Sequence, residues 1–169
     1  RDSILNTGLV DYDDLFEWEL YIIHNDTVLN AFATPGGYLY FYTGLINFLD
    51  NESEFAGVLA HEIAHSARRH STEQLTKVYG IQLLLGILLG ENSHELAQIA
   101  ADLARGLAVL AFSRNHEYES DEYSVKYLYE TSYDARGAGG FFQKLDGQAQ
   151  PPEFMSTHPH PENRYERIV

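Results

Sequence analysis

The stretch VLAHEIAHSARRHS, residues 58–71, reads as successive turns of one helix, yet it carries His61, Glu62 and His65 in an otherwise apolar run. Phe55, Val58, Leu59 and Ile63 recur at helical spacing, which predicts a helix with a face fit for a core. Ser53 is a fitting N-cap for it, and Glu54 in the first turn complements the helix dipole. Burying two imidazoles and a carboxylate without partners is costly. Either the three are solvated or something pairs with them, and the rest of the chain decides which.

Four residues along an α-helix amount to about 40° around its axis, so His61 and His65 project from one face. That spacing lets both rings converge on one zinc ion at about 2.0–2.1 Å. Glu62 points to the side of the pair, badly placed as a ligand but able to reach a water on the metal's open side. HExxH is thus a device with two ligands and one general base. A surface helix with incidental histidines is the plain alternative, and the apolar Val58, Leu59, Ala60, Ile63 and Ala64 argue against it. His70, next to Arg68 and Arg69, reads as the solvated end of the helix.

A catalytic zinc needs a third protein ligand and an open fourth position. Candidates lie in SRNHEYESDEYS, residues 113–124, where Glu117 and Asp121 stand four apart and share a face of a predicted helix. One carboxylate would complete a two-histidine, one-glutamate set, and the other would accept the free ring N–H of a ligating histidine. By spacing, Glu119 is nearly as good a ligand, and a solvated acidic helix face also accounts for so many carboxylates.

Composition narrows the function classes. The chain has 169 residues, 44% hydrophobic and 21% charged, which fits one folded domain with a proper core. A formal charge of −14 argues against nucleic acid or an anionic lipid surface as partner. With no cysteine, disulfides, thiolate nucleophiles and Cys-based metal sites are excluded. The chain opens on Arg1 without a charged-then-apolar leader, so the expectation is a fragment whose signal peptide or membrane anchor lies outside it. The most apolar run, IQLLLGILLG at 81–90, is half the roughly 20 residues a membrane-spanning helix needs, so membrane association is not encoded here. That run reads as core, or as a lid on the cleft.

The organisation is α+β and mostly helical. Residues 17–43 are rich in β-branched and aromatic residues and are divided by HNDT at 24–27 and TPGG at 34–37, which predicts three short strands in an antiparallel meander. Gly36 and Gly37 suit a tight turn at positive φ. Helical patterns follow over 72–89, 93–112, 114–130, which runs on from 93–112 or stands alone, and 134–145, the last opening at Asp134. The proline-rich tail starts as a loop and closes in a short helix from Pro161.

Taken together, NAFATPGGYLYFYTGLI at 30–46, EFAGVLAHEIAHSARRH at 54–70, SRNHEYESDEYSVKYL at 113–128, TSYDARGAGGFFQKL at 131–145 and STHPHPENRYERI at 156–168 resemble the Ste24/HtpX-like zinc metallopeptidases, bacterial periplasmic BepA-type proteins included. The resemblance covers nearly the whole chain and implies a zincin-like fold with one zinc ion. The family pairs HExxH with a later ExxxD, which here makes Glu117 the third ligand, places Asp121 beside a zinc-bound histidine and demotes Glu119. Arg114 matches a basic residue that precedes the motif, with a salt bridge to a helix carboxylate as an equal reading.

What the resemblance implies is metal-assisted peptide hydrolysis, with Glu62 taking the proton from water and passing it to the leaving amine. In the tail, Arg164 matches a position suited to an oxyanion or substrate-carbonyl contact. His158 admits a sharper idea: its imidazole would occupy zinc's fourth position and hold the enzyme latent. Anchoring of the loop is the alternative for both. Asn30, Ala31, Phe32 and Ala33 match the family's edge strand, to which an extended peptide adds. The implied substrates are unfolded or misassembled proteins of the bacterial periplasm or envelope. A competing reading is a chaperone or binding module that retains zinc but cleaves little.

Overall fold

A computed structural model describes residues 1–79, 111–146, 153–159 and 164–169. Helix α1 (Asp2–Leu5) leads into strands β1 (Glu19–Ile23), β2 (Ala31–Thr34) and β3 (Tyr38–Tyr42), and then into helix α2 (Thr43–Phe48). Helices α3 (Glu52–Ala67), α4 (His70–Tyr79), α5 (Arg114–Tyr129), α6 (Gly137–Asp146), α7 (Glu153–Thr157) and α8 (Arg164–Ile168) follow. The class is the expected one, α+β and mostly helical with a small sheet near the N-terminus.

The strand directions differ from the expected meander. The sheet runs in the order β1-β3-β2, with β1 parallel to β3 and β2 antiparallel to it. The cause lies at residues 24–27. Asn25 Oδ1 accepts from the backbone N–H of Thr27, a local side-chain turn rather than a hairpin. The Asn25 backbone is also tied to the far end of β3: its N–H donates to Thr43 Oγ1, and its carbonyl accepts from Gly44. The chain therefore crosses over the end of β3 and returns on its other side. Gly44 permits that crossing, because a β-carbon there would run into the carbonyl of Val28. The TPGG turn behaves as expected, with φ of +91° at Gly36 and +87° at Gly37.

Helix α3 is the centre of the molecule. Every residue from Ala56 to Ala67 is buried, between the sheet on one side and α5 and α6 on the others. A helix with no solvated face is what its small apolar residues allow, Ala56, Gly57, Ala60, Ala64 and Ala67 letting neighbours approach. Its N-cap is Asn51 rather than Ser53. Asn51 Oδ1 accepts from Glu54 N at 3.0 Å, while Ser53 Oγ turns outward to accept from the backbone of Asp134.

Just past its other end Arg69 takes a left-handed φ of +64°, and α4 starts at once at His70. Ser113 caps α5 by accepting from His116 N, so the expected 114–130 helix stands and is not continuous with residues 111–112. The expected 134–145 helix begins at Gly137, with Asp134 accepting from Arg136 and Gly137 just ahead of it. The tail holds α7, which the sequence reading missed, and closes in α8 as expected, from Arg164. The expectations for 81–90 and most of 93–112 lie outside the described residues.

Candidate metal centre

His61, Glu62 and His65 come from the buried middle of α3, and α5 lies against it so that Glu117 and Asp121 face them. The ring nitrogens His61 Nε2 and His65 Nε2 are 3.0 Å apart. Glu117 straddles them, with Oε2 3.4 Å from His61 Nε2 and Oε1 3.4 Å from His65 Nε2. His158, just after α7, brings Nδ1 to 3.2 Å from Glu117 Oε1. Ligand atoms of His61, His65, Glu117 and His158 all fall within 4.8 Å of one another, and all four residues are buried.

This set fits a zinc ion. Ligands about 2.0–2.1 Å from a tetrahedral metal lie about 3.3 Å from one another, and nitrogen and carboxylate donors are zinc's usual ones. Here the neighbouring donor pairs His61–His65, His61–Glu117, His65–Glu117 and Glu117–His158 are 3.0–3.4 Å apart, within a set that spans 4.8 Å. Glu62 adds a second sign. It is fully buried, and neither of its oxygens has a hydrogen-bond partner among the described residues, with His158 Nε2 3.4 Å from Oε1. A buried carboxylate left so is costly unless a further group completes the site.

The surrounding charges sort the titrations. Burial pushes the Glu62 carboxyl above its usual range, only partly opposed by His158 and His61. Burial acts on Glu117 in the same direction, but His158 and Arg164 outweigh it and hold Glu117 ionised. Asp121 is held low in the same way by Arg164 and His61. Burial first, helped by the neighbouring His61 and His158 and opposed by Glu117, drives His65 well below the usual imidazole value. For His61 burial is outweighed by hydrogen bonds to the acceptors Asp121 and Glu117, which raise it to about 9.

Asp121 serves two partners. Its Oδ1 lies 3.0 Å from His61 Nδ1, the nitrogen turned away from the donor cluster. Arg164, the first residue of α8, grips the same carboxylate through Nε at 2.8 Å and Nη2 at 2.6 Å. Its Nη1 lies 3.0 Å from Glu117 Oε2, and its guanidinium sits 3.8 Å from the Phe142 ring centre. Aromatic rings wall the cluster: Phe112 stacks on His65 at 4.0 Å and Phe154 on His158 at 4.2 Å. The sequence reading missed these rings, which no spacing rule flags.

Other expected residues fall elsewhere. Arg114 is exposed at the start of α5. Glu119 points away from the cluster to Arg68 Nε at 2.7 Å and His70 Nε2 at 3.3 Å. His70 is not the solvated helix end that its neighbours suggested. It is 2% exposed, because the left-handed turn at Arg69 swings it inward, and its Nδ1 lies 3.2 Å from His65 Nδ1. Burial first, then the nearby His116, pulls His70 down to about 4. Asn30, Ala31, Phe32 and Ala33 are buried and lie in or beside β2, an edge of the sheet among the described residues. His158 Nε2 reaches the Ala31 carbonyl at 3.3 Å.

Comparison with known proteins agrees with this geometry. Residues 9–169 match the model of peptidase family M48. The chain is 33% identical over 160 residues to the beta-barrel assembly-enhancing protease of Yersinia pestis, covering 87% of this chain and 33% of that protein. It is 32% identical over 160 residues to the protein of the same name from Escherichia coli K12, with the same coverage. The mitochondrial metalloendopeptidase OMA1 of Arabidopsis thaliana is 32% identical over 149 residues, 87% of this chain and 30% of that one. The chain thus spans about a third of the length of these relatives. With the family model matching almost end to end, this chain belongs to peptidase family M48.

Proposed function

We propose that this chain is the catalytic domain of a zinc-dependent endopeptidase, with His61, His65 and Glu117 as ligands of one zinc ion and Glu62 as general base. The observation that carries the reading is the convergence of those three ligand side chains, from two helices about fifty residues apart along the chain, at 3.0–3.4 Å spacing. A zinc ion held there supplies a water acidic enough to lose its proton near neutral pH and an electrophile for the scissile carbonyl. Glu62, its carboxyl raised by burial, takes the proton of the attacking water and returns it to the leaving amine. Asp121 fixes the His61 ring through Nδ1, and Arg164 fixes Asp121. With Nε and Nη2 on Asp121 and Nη1 3.0 Å from Glu117 Oε2, a substrate oxygen would have to draw Nη1 away from Glu117.

An extended peptide would add to the outer edge of β2, whose Ala31 carbonyl is held by His158. With a metal bound, His158 would block two things at once, an open ligand position and the Ala31 main-chain acceptor, while Ser71 Oγ takes the Ala33 carbonyl at 2.8 Å. This favours the latent form, and His158→Ala is expected to raise cleavage severalfold; an unchanged or lower rate rules latency out. Unfolded or misassembled polypeptides of a bacterial envelope are the substrates this reading proposes, in keeping with the names of the bacterial relatives. Among the described residues no helix is long and apolar enough to cross a membrane.

The test measures zinc content and casein cleavage for wild type and Glu62→Gln. Loss of a general base costs about 10²–10⁴-fold in rate, so the variant should keep its zinc and lose its activity. Zinc retained in both with no cleavage by either, even after His158→Ala, would instead favour a binding module.

A further inference from the structure

We propose that His70 is a positioning residue of the metal centre, the acceptor that fixes the ring of ligand His65 as Asp121 fixes His61. The inference rests on the ligand assignment above and extends it to a residue outside the HExxH and ExxxD motifs.

His65 turns Nε2 toward the donor cluster, 3.0 Å from His61 Nε2 and 3.4 Å from Glu117 Oε1, so Nδ1 is the nitrogen that must carry the proton when Nε2 binds a metal. That Nδ1 lies 3.2 Å from His70 Nδ1. Of two facing nitrogens one donates and one accepts, so the His70 proton has to sit on Nε2. Its environment supports that tautomer: His70 Nε2 lies 3.3 Å from Glu119 Oε2, an acceptor only. Glu119 is in turn held by Arg68 Nε at 2.7 Å, and Arg68 by Asp11 at 2.8 Å. The result is a directed chain, from His65 N–H to His70 and from His70 N–H to Glu119.

The His70 ring is held flat for this task. His116 stacks on it at 4.3 Å with an 11° interplanar angle, and Ser120 Oγ, 3.2 Å from its Nδ1, shares that acceptor with His65. Orientation of the two ligating imidazoles is thus divided. Asp121 on α5 serves His61 with a carboxylate, and His70 at the head of α4 serves His65 with a neutral ring backed by a carboxylate. Loss of such outer partners typically weakens metal binding, because the ligand ring is freed to rotate and its donor strength falls.

The experiment titrates zinc into the metal-free full chain against a competing chelator, for wild type, His70→Phe, His70→Asn and His65→Gln. His70→Phe keeps a flat ring against His116 but offers no acceptor, and should weaken zinc about 10–100-fold. His70→Asn places an amide oxygen where Nδ1 was and should recover most of that loss, which a residue serving only to fill space would not do. Equal affinity for His70→Phe and wild type overturns the proposal, and so does a fall in His70→Asn as deep as in His70→Phe. Should His70→Phe fail to fold, Glu119→Ala decides: weaker zinc supports the relay, and unchanged zinc refutes it. A wild type that binds no zinc, or a His65→Gln variant that binds it normally, sinks the ligand assignment itself and the relay with it.

Discussion

His61 has a carboxylate at each ring nitrogen, Asp121 at 3.0 Å from Nδ1 and Glu117 at 3.4 Å from Nε2. Burial alone would make such a ring shed its proton, but the two hydrogen bonds raise it to about 9. A metal arriving at Nε2 must therefore displace a proton at neutral pH. The sign is set: below that pKa protons compete with the metal, so zinc affinity falls as pH falls and rises with pH up to about 9. Calorimetry at pH 7 in buffers of different ionisation enthalpy should show about one proton released per zinc bound, and no release would contradict it. At this scale the site was half legible. HExxH could be read because helical geometry fixes which side chains share a face. Glu117 and Glu119 could not be separated by spacing, since the choice depends on how α5 is rotated against α3. The family's ExxxD pattern made that choice, and Glu119 does turn away to Arg68.

Helix α3 meets α6 through two glycines, Gly57 and Gly137. A β-carbon at Gly57 would run into the backbone of Ala138, and one at Gly137 into the carbonyl of Ser53. Neither clash can be relieved by a side-chain rotation, because the obstacle is main chain. Gly57→Ala should therefore cost about 3 kcal/mol, the upper end of the range for overpacking, and shift the urea midpoint of the metal-free protein accordingly. It should also weaken zinc binding, because α6 carries Phe142, on which Arg164 rests. A midpoint within error of wild type would mean that the helices separate more easily than this packing implies. Helices were the more legible elements, since a 3.6-residue period and a cap are local signals. The sheet order was not, because β1 joins β3 only after the Asn25 turn is tied to Thr43 and Gly44. His70 was lost for a similar reason: a left-handed Arg69 is a single backbone event with no side-chain pattern to announce it.

Across the whole molecule the centre is assembled from segments that begin at residue 61 and end at residue 164, so its parts meet only in the folded chain. Without a metal the arrangement buries Glu62, Glu117, Asp121 and Arg164 together, with both Glu62 oxygens lacking a hydrogen bond and Arg164 facing Glu117 only as an ion pair at 3.0 Å. Such a cluster is a poor source of stability in itself, since desolvating charges offsets what their attraction returns. A ligand that binds the folded chain alone supplies what is missing. At a free zinc concentration 1,000 times its dissociation constant the stabilisation is about 4.1 kcal/mol. Chelation should therefore lower the melting temperature of the wild type by many degrees, and added zinc should restore it. His61→Ala, with one ligand removed, should melt at nearly the same temperature with or without zinc, because it binds the ion too weakly to benefit. A wild type whose melting temperature ignores both chelator and zinc would show that the folded chain does not hold the ion, whatever its donor atoms resemble.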